Sequence, residues 1–222
     1  MQGGWGIHNF SDDQVKLRFP FGGVIYGPQQ AGKTWFMKSL VKHRDTIFNQ
    51  EPESIIYAYG EYDDDVHEFQ EDGCIIVNGT PSKDLIAGCE KPCMILLDDL
   101  MGSIDKHWLN EMYAKNIHHQ NLGTWFNTQD LFDKDGRIMR INSDYLVLMG
   151  TKNGILQIRN IGVQLCPGEL DYFMDAYYKA TANPYGYLFI DNSPKTPREL
   201  RLRKGIIPGE EQLVFLPKKL KK

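Results

Sequence analysis

No stretch of this 222-residue sequence holds the roughly 18 consecutive apolar residues that a membrane-spanning helix needs, so a span is not expected. Its start does not combine a basic region with an apolar stretch, and no secretory signal is expected there. Cysteine is scarce: Cys74, Cys89, Cys93 and Cys166 are too few and too scattered for a disulfide framework. The segment "CEKPC" brings Cys89 and Cys93 close in sequence, but no paired Cys or His spacing accompanies it, which leaves free thiols in a reducing compartment. Internal repeats and low-complexity linkers are missing as well. A net charge of −4 argues against a protein coated in positive field.

What is present suits one α/β domain with at most a small appendage. Hydrophobic residues make up 41% of the chain and aromatics 12%, enough for a substantial core. Short runs rich in β-branched and aromatic residues recur at "GGVIYG", "SIIYAYG", "CIIVNG", "CMILLDD", "GTWFNTQ" and "DYLVLMG". Each ends in or near Gly, Asp or Asn, as buried parallel strands do. Helical patterns alternate with them. Gly32 to Lys42 follows the first run, and Leu109, Met112, Tyr113, Asn116 and Ile117 share one face of a second helix. Ile158, Ile161 and Leu165 form a third stripe that "CPG" ends; Leu170, Phe173, Ala176, Tyr177 and Ala180 form a fourth before "NPYG". The alternation predicts a three-layer α/β fold with ligands at the carboxyl ends of the strands. Residues 1–191 are expected to form the core and residues 192–222 a C-terminal extension, broken by Pro194, Pro197, Pro208 and Pro217. That extension is basic, with Lys195, Arg198, Arg201, Arg203, Lys204, Lys218, Lys219, Lys221 and Lys222 against Glu199, Glu210 and Glu211. It suits contact with a polyanion, although the last lysines alone read as a solubilising tail.

The segment "GPQQAGKT" from Gly27 to Thr34 fits G-x-x-x-x-G-K-[ST], with an apolar strand running into it and an amphipathic helix starting inside it. A nucleotide site follows, in which Gly27, Pro28, Gln29, Gln30, Ala31, Gly32, Lys33, Thr34 and Trp35 are the expected binding residues. Gly27 allows a sharp turn, and Gly32 lets backbone amides approach the ligand without a Cβ in the way. The helix N-terminus adds positive potential. Lys33 would reach the β- and γ-phosphates, and Thr34 would hold Mg²⁺ through its hydroxyl.

Other runs supply the rest of the chemistry. "CMILLDDL" ends a strand in Asp98, suited to support Mg²⁺, and Asp99, suited to polarise a water or, alternatively, to cap the next helix. In P-loop ATPases with an extra strand between the cradle and Mg²⁺ strands, a polar side chain on that strand touches the attacking water or the γ-phosphate. Gln129 at the end of "GTWFNTQ" fits that role, with Asn127 and Thr128 as alternatives. Arg140 is the first candidate for an arginine offered to a neighbour's γ-phosphate, with Arg137 and Arg159 behind it; such a group is worth roughly 10³ to 10⁵ in rate.

Taken in order, "GPQQAGKT", "IYAYGEY", "ILLDDLM", "IHHQNLGTWFNTQDLF", "NSDYLVL" and "NPYGYLFIDNSPKTPRELRLRKGIIPGE" resemble the viral genome-packaging ATPases of the FtsK/HerA superfamily. The poxvirus-like branch found in Polinton (Maverick) elements and virophages is the most similar. The resemblance runs from Phe19 to Glu210 and implies a RecA-like core with an extra strand between the Walker A and Walker B strands. It also implies a homo-oligomeric ring, pentameric or hexameric, in which ATP hydrolysis drives double-stranded DNA into a preformed capsid at a portal or vertex. The setting would be inside the host cell, in a cytoplasmic virus factory or the nucleus. Lys33, Thr34, Asp98, Asp99, Gln129 and Arg140 match family positions, although the wider superfamily carries Glu where Asp99 stands. His118 and His119 match a recurrent pair, for which packing at a helix end is the expected role. A HerA-like DNA translocase or helicase, and a weakly hydrolysing nucleotide-binding virion component, are the alternatives.

Overall fold

Each of the six apolar runs becomes a strand; in five of them the β-branched and aromatic side chains on both faces find cover, and the run at Ile75–Asn78 forms a half-exposed edge. The structure, a computed structural model, describes residues 12–100, 102–132 and 134–217. These runs are β1 (Phe21–Tyr26), β2 (Ser54–Tyr59), β3 (Ile75–Asn78), β4 (Cys93–Asp98), β5 (Leu122–Thr128) and β6 (Tyr145–Met149). All their mutual pairings are parallel. Three further strands, β7 (Tyr187–Asp191), β8 (Leu202–Lys204) and β9 (Leu213–Val214), add antiparallel to one edge. The sheet order is β3-β2-β4-β5-β1-β6-β7-β8-β9, so β5 lies between the strand that feeds the glycine loop and the strand that ends in Asp98.

Ten α-helical segments accompany the strands among the described residues. They are α1 (Asp12–Val15), α2 (Lys33–Lys42), α3 (Arg44–Ile47), α4 (Asp65–Glu71), α5 (Lys83–Gly88), α6 (Lys106–Glu111), α7 (Ile117–His119), α8 (Lys134–Asn142), α9 (Ile155–Leu165) and α10 (Leu170–Ala180). A π-helical turn, Met112–Asn116, joins α6 to α7 as one run. The period of two in the strands sorts side chains onto opposite faces. Phe21, Ile25, Met94 and Leu96 pack with Phe36, Leu40, Ile47 and Phe69 on one side. Val24, Ile95, Leu97 and Leu146 pack with Leu109, Tyr113, Ile158, Ile161, Phe173 and Tyr177 on the other. The result is the three-layer sheet expected from the sequence.

The apolar stripes expected in α9 and α10 face the core, and α9 ends at Cys166, just before Pro167 and Gly168. His118 and His119 close α7 and are exposed, so they stand at the helix end without being packed there.

Four of the five described basic residues of the C-terminal segment have partners within the chain. Arg203 is 4% exposed; it pairs with Asp191 at 3.2 Å, donates to the Val15 carbonyl at 2.6 Å and lies over the Phe189 ring. Arg198 pairs with Glu169, Lys204 with Glu211, and Arg201 donates to the Asn192 side chain. Lys195 is exposed. Lys218, Lys219, Lys221 and Lys222 lie outside the described residues. Of the arginines expected to meet a polyanion, Arg203 is thus withdrawn into the interior, where it joins β8 to β7, while Arg198 stays at the surface in an ion pair.

Close backbone packing at β1 and β5 has a measurable consequence. A Cβ on Gly23 would lie 2.5 Å from the Trp125 ring, which sits fully buried against it. The Gly23→Ala variant is expected to lose about 1–3 kcal/mol of stability through overpacking. Denaturant unfolding measures this; an unchanged midpoint would show that the indole does not rest on this glycine.

Candidate nucleotide-binding site

The glycine loop leaves β1 at Gly27 and enters α2 at Lys33. A Cβ on Gly27 would come within 2.6 Å of the Met149 Cβ at the end of β6. Close approach of the neighbouring strand, more than a sharp turn, requires glycine here. Gln30 and Gly32 both take left-handed backbone conformations, φ 59° and 97°. Gly32 is the N-cap of α2, and no side chain caps that helix. The first amides of α2 consequently point outward at the positive end of the helix dipole, an arrangement suited to an anion. The Lys33 ammonium donates to the carbonyls of Gly27 and Pro28, at 3.0 and 2.8 Å. Desolvation lowers its pKa, against the opposing pull of Asp98 and Asp99.

Across the cleft, Asp98 ends β4 and is 8% exposed. A buried carboxylate needs compensating donors, and three elements supply them. Thr34 Oγ1 of α2 donates to Oδ2 at 3.0 Å, Tyr57 OH of β2 donates to the same oxygen at 3.1 Å, and Asn127 Nδ2 of β5 donates to Oδ1 at 2.6 Å. Burial, and then the Asp98 charge, drive the Tyr57 phenol far above its ordinary pKa, so it stays a donor. Thr34 and Asp98 thus bring a hydroxyl and a carboxylate together, the hard oxygen donors that Mg²⁺ takes alongside phosphates and water. Those residues fit the ion.

Asp99 is exposed and has φ 51°, a left-handed conformation for a non-glycine residue. Its carbonyl lies 2.1 Å from where a Cβ of Gly60 would be, so the turn after β4 exists only because residue 60 has no side chain. The alternative role as helix cap is not the one observed: Asp105 caps α6, accepting from the Trp108 amide at 2.8 Å. Gln129 follows β5 directly and is exposed.

The cleft between these elements has a volume of about 850 Å³, within the range of small-molecule sites. Gln29, Gln30, Gly32, Lys33, Thr34 and Trp35 line it together with Asp98, Asp99 and Gln129. Asn127 and Thr128, the alternatives to Gln129, also line it. They are differently engaged, because Asn127 holds Asp98 and the Thr128 hydroxyl closes a turn onto Asp130. Arg137, Arg140 and Arg159 are not among the lining residues. The Arg140 guanidinium donates to the Leu131 carbonyl at 2.8 Å and lies 4.3 Å over the Phe132 ring, whereas Arg137 and Arg159 are exposed. Burial, then the neighbouring Arg137, lower the Arg140 pKa.

Sequence reasoning passed over Tyr57, which reads as an ordinary strand residue, and Tyr185, whose loop is 150 positions from the glycine motif. Both line the cleft. The only signal for Tyr185 was its place in "NPYG", a turn-forming tetrapeptide.

Replacing Asn127 by Asp should test the Asp98 junction. Two carboxylates would then meet where a 2.6 Å hydrogen bond now stands, and both would not stay ionised. The shared proton is bound more tightly in the folded state than in the unfolded one. The variant should therefore be nearly as stable as the parent near pH 4 and lose about 3 kcal/mol as the pH rises to 7.5. Thermal melting across that range would expose an error if the loss were independent of pH.

No family model matches the sequence, and no curated protein sequence matches it either. Solved structures do. The DNA-packaging ATPase B204 from Sulfolobus turreted icosahedral virus superposes with a TM-score of 0.54 at 13% identity, covering 89% of this chain and 98% of that one. The genome packaging NTPase B204 from Sulfolobus turreted icosahedral virus 2, in complex with AMP, gives a TM-score of 0.51 at 14% identity, over 78% of this chain and 94% of that one. Its complex with ATP-gammaS gives 0.50 at 14% identity, over 78% and 93%. At these identities the shared property is the fold, and this chain has the fold of those packaging NTPases.

Proposed function

We propose that this chain is a P-loop ATPase of the FtsK/HerA type that packages viral DNA. The observation that carries the reading is the junction at Asp98. The hydroxyl that follows the glycine-loop lysine is hydrogen-bonded at 3.0 Å to the carboxylate ending β4, with β5 lying between β1 and β4. The neighbouring folds support it, since the B204 proteins are a DNA-packaging ATPase and a genome packaging NTPase, the latter in complex with AMP and with ATP-gammaS.

In this reading Lys33 leaves the Gly27 and Pro28 carbonyls for the β- and γ-phosphates, while the first amides of α2 hold the remaining phosphate oxygens. Thr34 and Asp98 would hold Mg²⁺, which when bound neutralises charge developing on those oxygens. Tyr57 and Asn127 keep the Asp98 carboxylate oriented. Gln129 orients the attacking water, and Asp99, kinked into the cleft by its left-handed backbone, accepts the water's proton. An arginine of a neighbouring protomer in a ring completes the site. Arg140 would have to leave the Leu131 carbonyl to serve, and Arg137 or Arg159 would need no such release. Exposed Lys152 and Arg137 are the basic groups suited to grip duplex phosphates, a contact that is tolerant of sequence and weakened by salt. The ring would act at a capsid vertex inside the host cell.

ATP turnover by the assembled protein, measured with and without duplex DNA and alongside its mass in solution, tests the proposal. Turnover should rise with DNA without any phosphate acceptor, and that stimulation should fall as salt increases. Lys33→Ala should reduce turnover by at least about 100-fold, the scale on which loss of a charge-stabilising donor acts. Full activity in that variant would end the assignment of the site.

A further inference from the structure

The residues so far assigned account for the phosphate end of the ligand and leave the rest of the cleft without a role. Tyr185 lies in that remainder. It is 65% exposed, and its hydroxyl makes no hydrogen bond among the described residues. Its ring is laid on the glycine loop: Cδ1, Cβ and Cγ stand 3.0, 3.4 and 3.6 Å from the position a Gly32 Cβ would take. Trp35, one residue past the metal-side Thr34 and 47% exposed, lines the same cleft.

The turn that carries Tyr185 is built to hold it out. Tyr185 has φ 60°, which a bulky residue rarely adopts without a reason. The Gly186 amide closes the turn onto the Asn183 carbonyl at 3.0 Å, and the Gly150 amide ties the turn to β6 through the Gly186 carbonyl at 3.3 Å. A Cβ on Gly186 would strike the Ala180 carbonyl at 2.6 Å, so the chain is pressed against the end of α10 as it presents the ring. Two large aromatics left exposed by the described residues, beside a helix start suited to an anion, are poorly explained by packing.

Sheet order decides which end of a nucleotide they meet. Asp98 and Gln129 lie at the ends of β4 and β5, on one side of β1, whereas Tyr185 arrives from the β7 side. Of the other aromatics of the cleft, Tyr57 is buried and bonded to Asp98, Tyr59 and Tyr62 stand among Glu61, Asp63 and Asp65, and the Tyr62 hydroxyl is bonded to His67 at 2.7 Å. With the terminal phosphates drawn toward Asp98 and Lys33, the flat end of the ligand leaves the cradle along Gly32, Trp35 and Tyr185. We infer that Tyr185, with Trp35, forms the seat for the base of a nucleoside triphosphate, gripping it by its ring face. This inference rests on the proposed nucleotide site and adds to it a residue from the far end of the chain.

Two ligands separate the base from the phosphates: ATP and inorganic tripolyphosphate, titrated calorimetrically into the full chain. Tyr185→Asn removes the ring but tolerates the left-handed turn, and Tyr185→Phe keeps the ring. Tyr185→Asn should weaken ATP by roughly 5- to 150-fold, the range of one base–aromatic stack, and leave tripolyphosphate within about twofold of the parent. Tyr185→Phe should bind both as the parent does. If Tyr185→Asn binds ATP as tightly as the parent, the base seat is wrong while the nucleotide site stands. If it weakens both ligands equally, Tyr185 acts by shaping the glycine loop, and the base seat is again wrong. Should the parent bind neither ligand, the nucleotide site itself fails and takes the seat with it.

Discussion

The carboxylate of Asp98 is where the architecture and the chemistry of this protein meet. A charge buried at the end of a strand is costly unless donors surround it, and here the donors come from three separate elements. Thr34 belongs to α2, Tyr57 to β2 and Asn127 to β5. They converge only because β2 and β5 flank β4 and because α2 starts beside the carboxyl ends of these strands. Inserting β5 between β1 and β4 is what allows Asn127 to reach Asp98 and Gln129 to follow it into the cleft. Loss of this sheet order would leave the charge unpaired and the cleft without its polar wall.

Around this junction the backbone is repeatedly forced close. Gly27 admits Met149, Gly32 admits Tyr185, and Gly60 admits the carbonyl of Asp99. The strain is not spread through the molecule. Of the four non-glycine residues with left-handed backbones among the described residues, Gln30, Asp99 and Tyr185 line the cleft, and Asn121 does not. Conformations of this kind cost of order 1–3 kcal/mol each and persist where the surroundings over-determine them. Here three of the four aim a group at the same space.

Charge is distributed by the same economy of partners. Basic residues near the C-terminus look like a surface for a polyanion when read along the chain. In the fold, Arg203 is buried against Asp191 and Phe189, and Arg198, Arg201 and Lys204 each have a partner. Arg203 ties β8 to β7 and to the Val15 carbonyl, and Lys204 ties β8 to Glu211 just before β9. The exposed cations Arg137, Lys152 and Arg159 are carried instead by the segments that follow β5 and β6.

Much of this was legible in the residues themselves. Apolar runs of strand length and stripes of helical period mark out β1 to β6, α9 and α10, because burial on two faces or on one leaves a pattern that survives in one dimension. The glycine motif and the paired aspartates are likewise visible in local spacing, and the fold brings them to one cleft. Strands β8 and β9 were not legible: at three and two residues they carry too little pattern, and a buried Arg203 reads as a solvated charge. Nor were the partners of Asp98 or the place of Tyr185. Local order along the chain determined which segments would become strands and where a glycine loop would join a strand to a helix. Only the packed sheet decided that Tyr57, Asn127 and Tyr185 stand at that loop, since contacts between residues tens to more than a hundred positions apart depend on strand order, which no local spacing encodes.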